Sequence, residues 1–235
     1  MIQQININNL VFIDIETTPI HKQFVDVPEY EQELWEEKRG RYRTEMESVE
    51  DFYFNNAGIY AEFGKIICIS VGKVYTNETP IAYKSKSFYG DDELILLKDF
   101  YQYITEMFRR NPDFNFCGHN IKEFDIPYIC RRSLINRLPL HPFLAQLQTK
   151  KPWENGSVDT MELWKFGDYK NYISLKLLAH CLGIPSPKDD ISGKDVGRIY
   201  WQENDLERIK TYCEKDVLTT AQIVLRLKGM ELLNS

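Results

Sequence analysis

Residues 9–15 constrain this chain most, because Leu10, Val11, Phe12 and Ile13 form an unbroken apolar run that ends on Asp14. A half-solvated strand would alternate polar and apolar residues, so an unbroken run reads as a strand buried on both faces. With 235 residues the chain is long enough for one α/β domain with a substantial core and too short for two full-sized ones, so a single domain over 1–235 is expected. Hydrophobic residues make up 43%, with 14 Tyr and 13 Phe, enough apolar surface to offset ordering entropy and to exclude wholesale disorder.

Further strands are expected over 65–71 and 81–88, joined as a hairpin by the turn near 77–80, with short ones at 114–117 and near Val158. A helix over 91–110 places Leu94, Leu97, Tyr101, Ile104 and Phe108 at helical spacing, and Pro112 lies just past its end. Another is expected over 128–138, and Ser174 caps one over 175–182, closed by Gly183 and Pro185. Asn204 with Glu207 resembles a capping box for a last helix whose stripe is Leu206, Ile209, Cys213, Thr220, Val224 and Leu227. The polar stretch from Pro19 to about residue 56 reads as helical with weak periodicity, and no function attaches to it.

The five cysteines are an odd number, far apart and set among apolar neighbours, which reads as reduced core thiols. No basic-then-apolar leader opens the chain and no apolar run approaches the roughly 18 residues of a membrane span. A cytoplasmic protein without a membrane partner is expected. The net charge of -6 argues at first against a polyanionic partner, but two divalent cations in a carboxylate site would bring it to about -2 and would themselves attract phosphate.

Carboxylates recur in three places. Asp14 and Glu16 flank Ile15, so on a strand both point to one side and demand a counter-ion, although an isolated D-x-E is more commonly a solvated strand end. Asn120 and the pair Phe124 and Asp125 follow the strand-like FNFCG, where Asp125 alone reads as a helix cap. Tyr212 and Asp216 stand four apart on the last helix and share a face with part of its apolar stripe, where a carboxylate requires a metal or a salt-bridge partner.

In order and spacing, FIDIETT, GHNIKEFDIPYI and YCEKD resemble the three motifs of the DEDD exonucleases. More closely, they are similar to predicted stand-alone relatives of the proofreading exonuclease domain of family-B DNA polymerases, over residues 11–227. The resemblance implies an RNase H-like α/β fold, a mixed sheet of about five strands with helices on both faces. It implies a 3′-to-5′ exonuclease that releases nucleoside 5′-monophosphates. Carried over position by position, Asp14, Glu16 and Asp216 hold a first divalent ion, Asp14 bridges to a second, and Asp125 holds that one largely through water. Oxygen ligands and retained waters suit two Mg²⁺ or Mn²⁺ ions, which at about 3.5–4 Å apart activate water and neutralise the leaving oxygen.

Tyr212 marks the Tyr-type branch, since the His-type branch would carry a histidine where this chain has Thr211. An ordinary phenol with a pKa near 10 is a poor base at neutral pH, so its role is positioning the metal-bound water. The resemblance has Asn120 tying the second motif to the first strand. Phe124 reads equally as core and as a ring near the terminal nucleotide, and Thr17 either reaches the terminal hydroxyl or simply closes the strand.

His119 and His180 read as structural, Asp159 with Thr160 as a helix cap, and Arg131, Arg132, Lys150 and Lys151 as a solvated basic face rather than a phosphate guide. The expected partner is a single-stranded 3′ end, with DNA favoured by the family-B resemblance and RNA open, because contacts to the 2′-OH are not legible in a sequence. A non-catalytic nucleic-acid-binding module is the rival of another class, yet binding alone would not require four acids that repel phosphate.

Overall fold

The strand that opens the chain is the centre of the sheet. In a computed structural model, which describes residues 2–78, 80–149, 156–168, 170, 172–185 and 191–233, β1 (Leu10–Pro19) is followed by α1 (Glu29–Arg39), α2 (Val49–Asn56), β2 (Gly64–Tyr75) and β3 (Ala82–Tyr89). Then come α3 (Glu93–Arg110), β4 (Asn115–Gly118), α4 (Asp125–Ile135), α5 (Pro142–Thr149), β5 (Val158–Asp159) and α6 (Thr160–Lys165). The chain ends in α7 (Leu175–Cys181), the single turn α8 (Val196–Arg198), a π-turn over Ile199–Glu203, and α9 (Leu206–Leu227).

The described strands form one mixed sheet in the order β3-β2-β1-β4-β5. β1 pairs antiparallel with β2 and parallel with β4, and β2–β3 is the expected antiparallel pair. This is the RNase H-like α/β arrangement, with helices on both faces. On one face Val11, Ile13 and Ile15 of β1 pack with Leu97, Phe100 and Ile104 of α3 and Ile129 of α4. On the other, Leu10 and Phe12 pack with Val217, Ala221 and Val224 of α9. The unbroken apolar run therefore serves two cores, one for each parity.

A buried ion pair binds the α3–α4 layer to the sheet. Arg132 Nη2 donates to Glu93 Oε2 at 2.6 Å, and the Ile66 N–H donates to Glu93 Oε1 at 2.7 Å. Arg132 is only 5% exposed, so this position corrects its reading as part of a solvated basic face; Lys150 and Lys151 lie outside the described residues.

Several boundaries differ from expectation. β1 continues through Glu16 to Pro19, because β2 stays paired beyond a bulge at the Glu16–Thr17 step. α4 begins at Asp125 itself. The cap of α9 is Asp205, whose side chain accepts from Arg208 N, while Asn204 adopts the left-handed conformation at φ 54°. Within α3, Phe108 is 41% exposed and Met107 lies in the core instead. Among the described residues no helix is long and apolar enough to cross a membrane.

Candidate active site

Parity on β1 decides where the first two carboxylates go. Val11, Ile13 and Ile15 face the α3–α4 core, so Asp14 and Glu16 continue the Phe12 face toward α9. Glu16 is buried and Asp14 partly exposed. The Cys213 Sγ of α9 lies 3.4 Å from Asp14 Oδ2, and ligand atoms of Asp14, Glu16 and Cys213 all fall within 4.8 Å of one another. Among the described residues, no ion pair involves Asp14 or Glu16.

Asp125 arrives from the parallel neighbour. β4 ends at Gly118, where a Cβ would run into the Ile121 side chain and stand 2.8 Å from Ile13 O, so only glycine lets the chain turn this close to β1. Asn120 then turns in the left-handed region at φ 65°. Asp159 fixes that turn by accepting from Asn120 N at 2.9 Å and Lys122 N at 3.2 Å, and it caps α6 through Met161 N. The helix that follows starts with Asp125, whose Oδ1 accepts from Ile15 N at 3.1 Å. The tie between the second motif and β1 therefore runs through Asp125 and Gly118, whereas the Asn120 backbone is bound to Asp159. Asp14 and Glu16 lie just past the last parallel β1–β4 pair, Phe12 with Cys117, and Asp125 follows the end of β4, on the carboxyl side of the parallel pair where α/β sheets commonly bind ligands.

α9 adds Tyr212 and Asp216 from one side of the helix, with Cys213 and Val217 buried beside them. The four carboxylates feel one another. Burial, and then the charges of Asp125 and Asp216, hold Asp14 well above the usual carboxylate range. Burial, and then Asp14 and Asp216, do the same to Glu16. Burial pushes Asp125 up to about 7 against the pull of its backbone hydrogen bonds. For Tyr212, burial and then the negative field of Asp216, Glu16 and Asp14 raise the phenol far above its ordinary range, and its hydroxyl donates to Asp216. It is a locked proton donor.

Thr17 and Phe124 meet around Tyr128. The Tyr128 hydroxyl shares a hydrogen bond with the Thr17 side chain and donates to Gly58 O at 2.8 Å; the Phe124 ring sits 5.4 Å from that of Tyr128. Phe124 is half-buried, and both it and Thr17 line a groove of about 230 Å³ beside Glu16. His119 bridges Thr160 Oγ1 at 2.9 Å and Ile173 O at 2.8 Å, a structural arrangement. Sequence reasoning missed Cys213, because a cysteine among apolar neighbours reads as core. It also missed the organising role of Asp159, which its capping position only half signals.

A buried cluster of oxygen donors with no cation on Asp14 or Glu16 suits hard divalent ions that keep some of their water. The thiol of Cys213 is protonated and donates to Asp14, since burial pushes it well above its ordinary value.

Comparisons with known proteins speak to the family and the fold. No curated protein matches the sequence. Among solved structures, the family B DNA polymerase from the hyperthermophilic archaeon Pyrobaculum calidifontis is similar, with a TM-score of 0.57 and 15% identity over 94% of this chain. The match takes in 24% of the polymerase chain, so this protein spans about a quarter of that length, and at this identity the likeness speaks for the fold alone. The profile of a family described as predicted 3′-5′ exonucleases related to the exonuclease domain of PolB matches residues 59–232. That is most of the chain, and the protein belongs to this family of predicted 3′-5′ exonucleases.

Proposed function

We propose that this chain, as one domain over residues 1–235, is an exonuclease that removes nucleotides from the 3′ end of single-stranded DNA and releases nucleoside 5′-monophosphates. The observation that carries the reading is the meeting of Asp14 and Glu16 from β1, Asp125 from α4 and Asp216 from α9, with no cation paired to Asp14 or Glu16 among the described residues. Repulsion of this size in a buried place costs stability unless cations fill it. Asp14, Glu16 and Asp216 would hold one Mg²⁺ or Mn²⁺, with Asp14 shared and Asp125 reaching a second. Bound there, the ions supply an activated water and neutralise charge on the leaving oxygen.

The chain's own groups prepare that chemistry. The Ile15 N–H aims Asp125. Tyr212, which stays protonated and donates to Asp216, fixes that carboxylate and leaves its oxygen to accept from a neighbouring water, so its part is positioning and not base catalysis. Thr17 and Phe124 lie where a terminal nucleotide would enter. DNA is favoured over RNA by the relation to the PolB exonuclease domain. Its five free cysteines agree with a reducing compartment, the cytoplasm.

The test is a digest of matched single-stranded DNA and RNA oligonucleotides labelled at the 5′ end, with Mg²⁺ or with chelator. The expected result is a metal-dependent ladder of shortening DNA. Early release of the labelled mononucleotide, cleavage of a closed circle, or a stronger ladder from RNA would each overturn a named part of the reading.

A further inference from the structure

The connection between β1 and β2 runs from residue 20 to 63, although antiparallel neighbours need only about two to five residues to join. It carries a core of its own. Trp35 is fully buried there among Phe24, Phe52, Tyr53 and Phe63, with ring centroids 5.4 Å from Tyr53 and 5.2 Å from Phe63. That cluster anchors α2 beside the far end of β1. The residues α2 leaves outside the cluster, Phe54 and Asn55, together with Ile59, form one wall of the groove at Glu16 and Thr17. Ile59 is 55% exposed, an apolar residue kept at the groove and not in the core.

Gly193 and Lys194, from the turn before α8, complete the lining with Phe124. The segment that carries them is also tied down. Trp201 Nε1 donates to Pro19 O at 3.1 Å, and Tyr200 donates to Asp91 at 2.6 Å while accepting from Lys65 at 2.8 Å. The groove of about 230 Å³ has room for about one nucleoside, less than a base pair occupies. Its lining combines two aromatic rings, which suit a base of any identity, with an exposed ammonium, which suits the phosphate that follows it.

We propose that the 20–63 connection is a specificity wall: the unpaired 3′-terminal nucleotide packs against Phe54, Ile59 and Phe124, Lys194 takes the adjoining phosphate, and α2 bars a base-paired end. The assignment rests on the exonuclease reading above and names how that site selects its substrate. Phe54 and Asn55 precede the 59–232 match, while Ile59 is its first residue, so the α2 part of this wall lies outside the family profile.

The experiment compares the wild type with Phe54→Ala, Lys194→Ala and Gly193→Trp on 5′-labelled decathymidylate and on a blunt hairpin of the same length. A side chain at Gly193 would meet nothing within 4 Å and needs no left-handed backbone, so the tryptophan fills the groove without disturbing the fold. Stacking of one base on an aromatic ring predicts KM about tenfold higher for Phe54→Ala, with kcat within about twofold. Lys194→Ala should act alike, Gly193→Trp should raise KM at least as much at an unchanged Tm, and Phe54→Ala should narrow the preference for the single strand. Should Phe54→Ala fail to fold, the other two variants carry the test. An active wild type with wild-type KM in the folded variants overturns the wall. Binding of 5′-fluorescein decathymidylate, read by anisotropy with Ca²⁺ in place of Mg²⁺, separates the two readings. A wild type that binds through these residues yet hydrolyses nothing sinks the exonuclease reading and keeps the groove.

Discussion

In excess chelator, the stability of this protein should fall as the pH rises from about 5 to 7.5. Burial and mutual repulsion hold Asp14 and Glu16 well above the usual carboxylate range, and burial, with a smaller push from Asp159, takes Asp125 up to about 7. In the unfolded chain the same groups lose their protons near pH 4. Between those values the folded protein binds more protons than the unfolded one, so the slope of unfolding free energy against pH is negative. The stability is fully present below the unfolded pKa and is lost as the pH climbs through the folded values. For Asp125 alone the change from 3.8 to about 7, at about 1.4 kcal/mol per tenfold change in proton affinity, is on the order of 4 kcal/mol over the whole titration, of which about 2.5 kcal/mol falls between pH 5 and 7.5. That is a large part of the roughly 5–15 kcal/mol that holds a domain folded. At about 2–4 °C per kcal/mol for a chain of this size, Tm should drop by about 5–10 °C over that window from Asp125 alone.

Circular-dichroism melts across that range check the sign. His119, whose pKa burial lowers, works in the opposite sense below its unfolded value. A comparison with Asp14→Asn, which deletes one charge at nearly constant size, isolates the cluster. The variant should melt above the wild type in chelator at pH 7.5, and the gap should close toward pH 5. Saturating Mg²⁺ or Mn²⁺ should raise the wild type at pH 7.5 by mass action and leave Asp14→Asn much less affected. A wild type that gains stability with pH in chelator, or an Asp14→Asn that melts lower at pH 7.5, would refute the crowded-carboxylate account.

Two further outcomes follow from the scaffold. Arg132→Met should cost about 3–5 kcal/mol in urea unfolding, because it strands Glu93 as a buried charge, while kcat per folded molecule stays close to wild type. Gly118→Ala should cost about 1–3 kcal/mol, since the added methyl collides with Ile121 and Ile13 O; by displacing the turn that delivers Asp125, it should also lower kcat more than it raises KM.

Elements with strong periodicity were legible in the sequence, and those held by long-range contacts were not. The Leu10–Ile13 run announced a central strand, but its continuation through Glu16 and Thr17 depends on pairing with Cys68 and Ile66 across a bulge, which no local pattern encodes. α3 could be read from its apolar spacing. The 20–63 connection could not, because α1 buries only Trp35 and α2 only Phe52 and Tyr53, in a cluster separate from the sheet. At the site, the order of three motifs singled out Asp14, Glu16, Asp125, Tyr212 and Asp216, and the fold brings these residues together beside the middle of β1. Cys213 and the groove wall at Phe54 and Lys194 stayed hidden, since their place follows from packing between segments more than a hundred residues apart.

The most direct test of the central claim is a set of single-turnover rates on one 5′-labelled single-stranded DNA, comparing wild type, Asp14→Ala, Asp216→Ala and Tyr212→Phe in Mg²⁺. On the proposed function, removing either acid takes a ligand from the charged centre, so both alanine variants should fall to background while remaining folded. Tyr212→Phe keeps the ring and loses one hydroxyl, so its rate should drop about 10²-fold or less, the scale of one positioned hydrogen bond in a transition state. An Asp216→Ala variant that keeps most of its activity would contradict the site, and a Tyr212→Phe variant as inactive as Asp216→Ala would show that the tyrosine does more than position water.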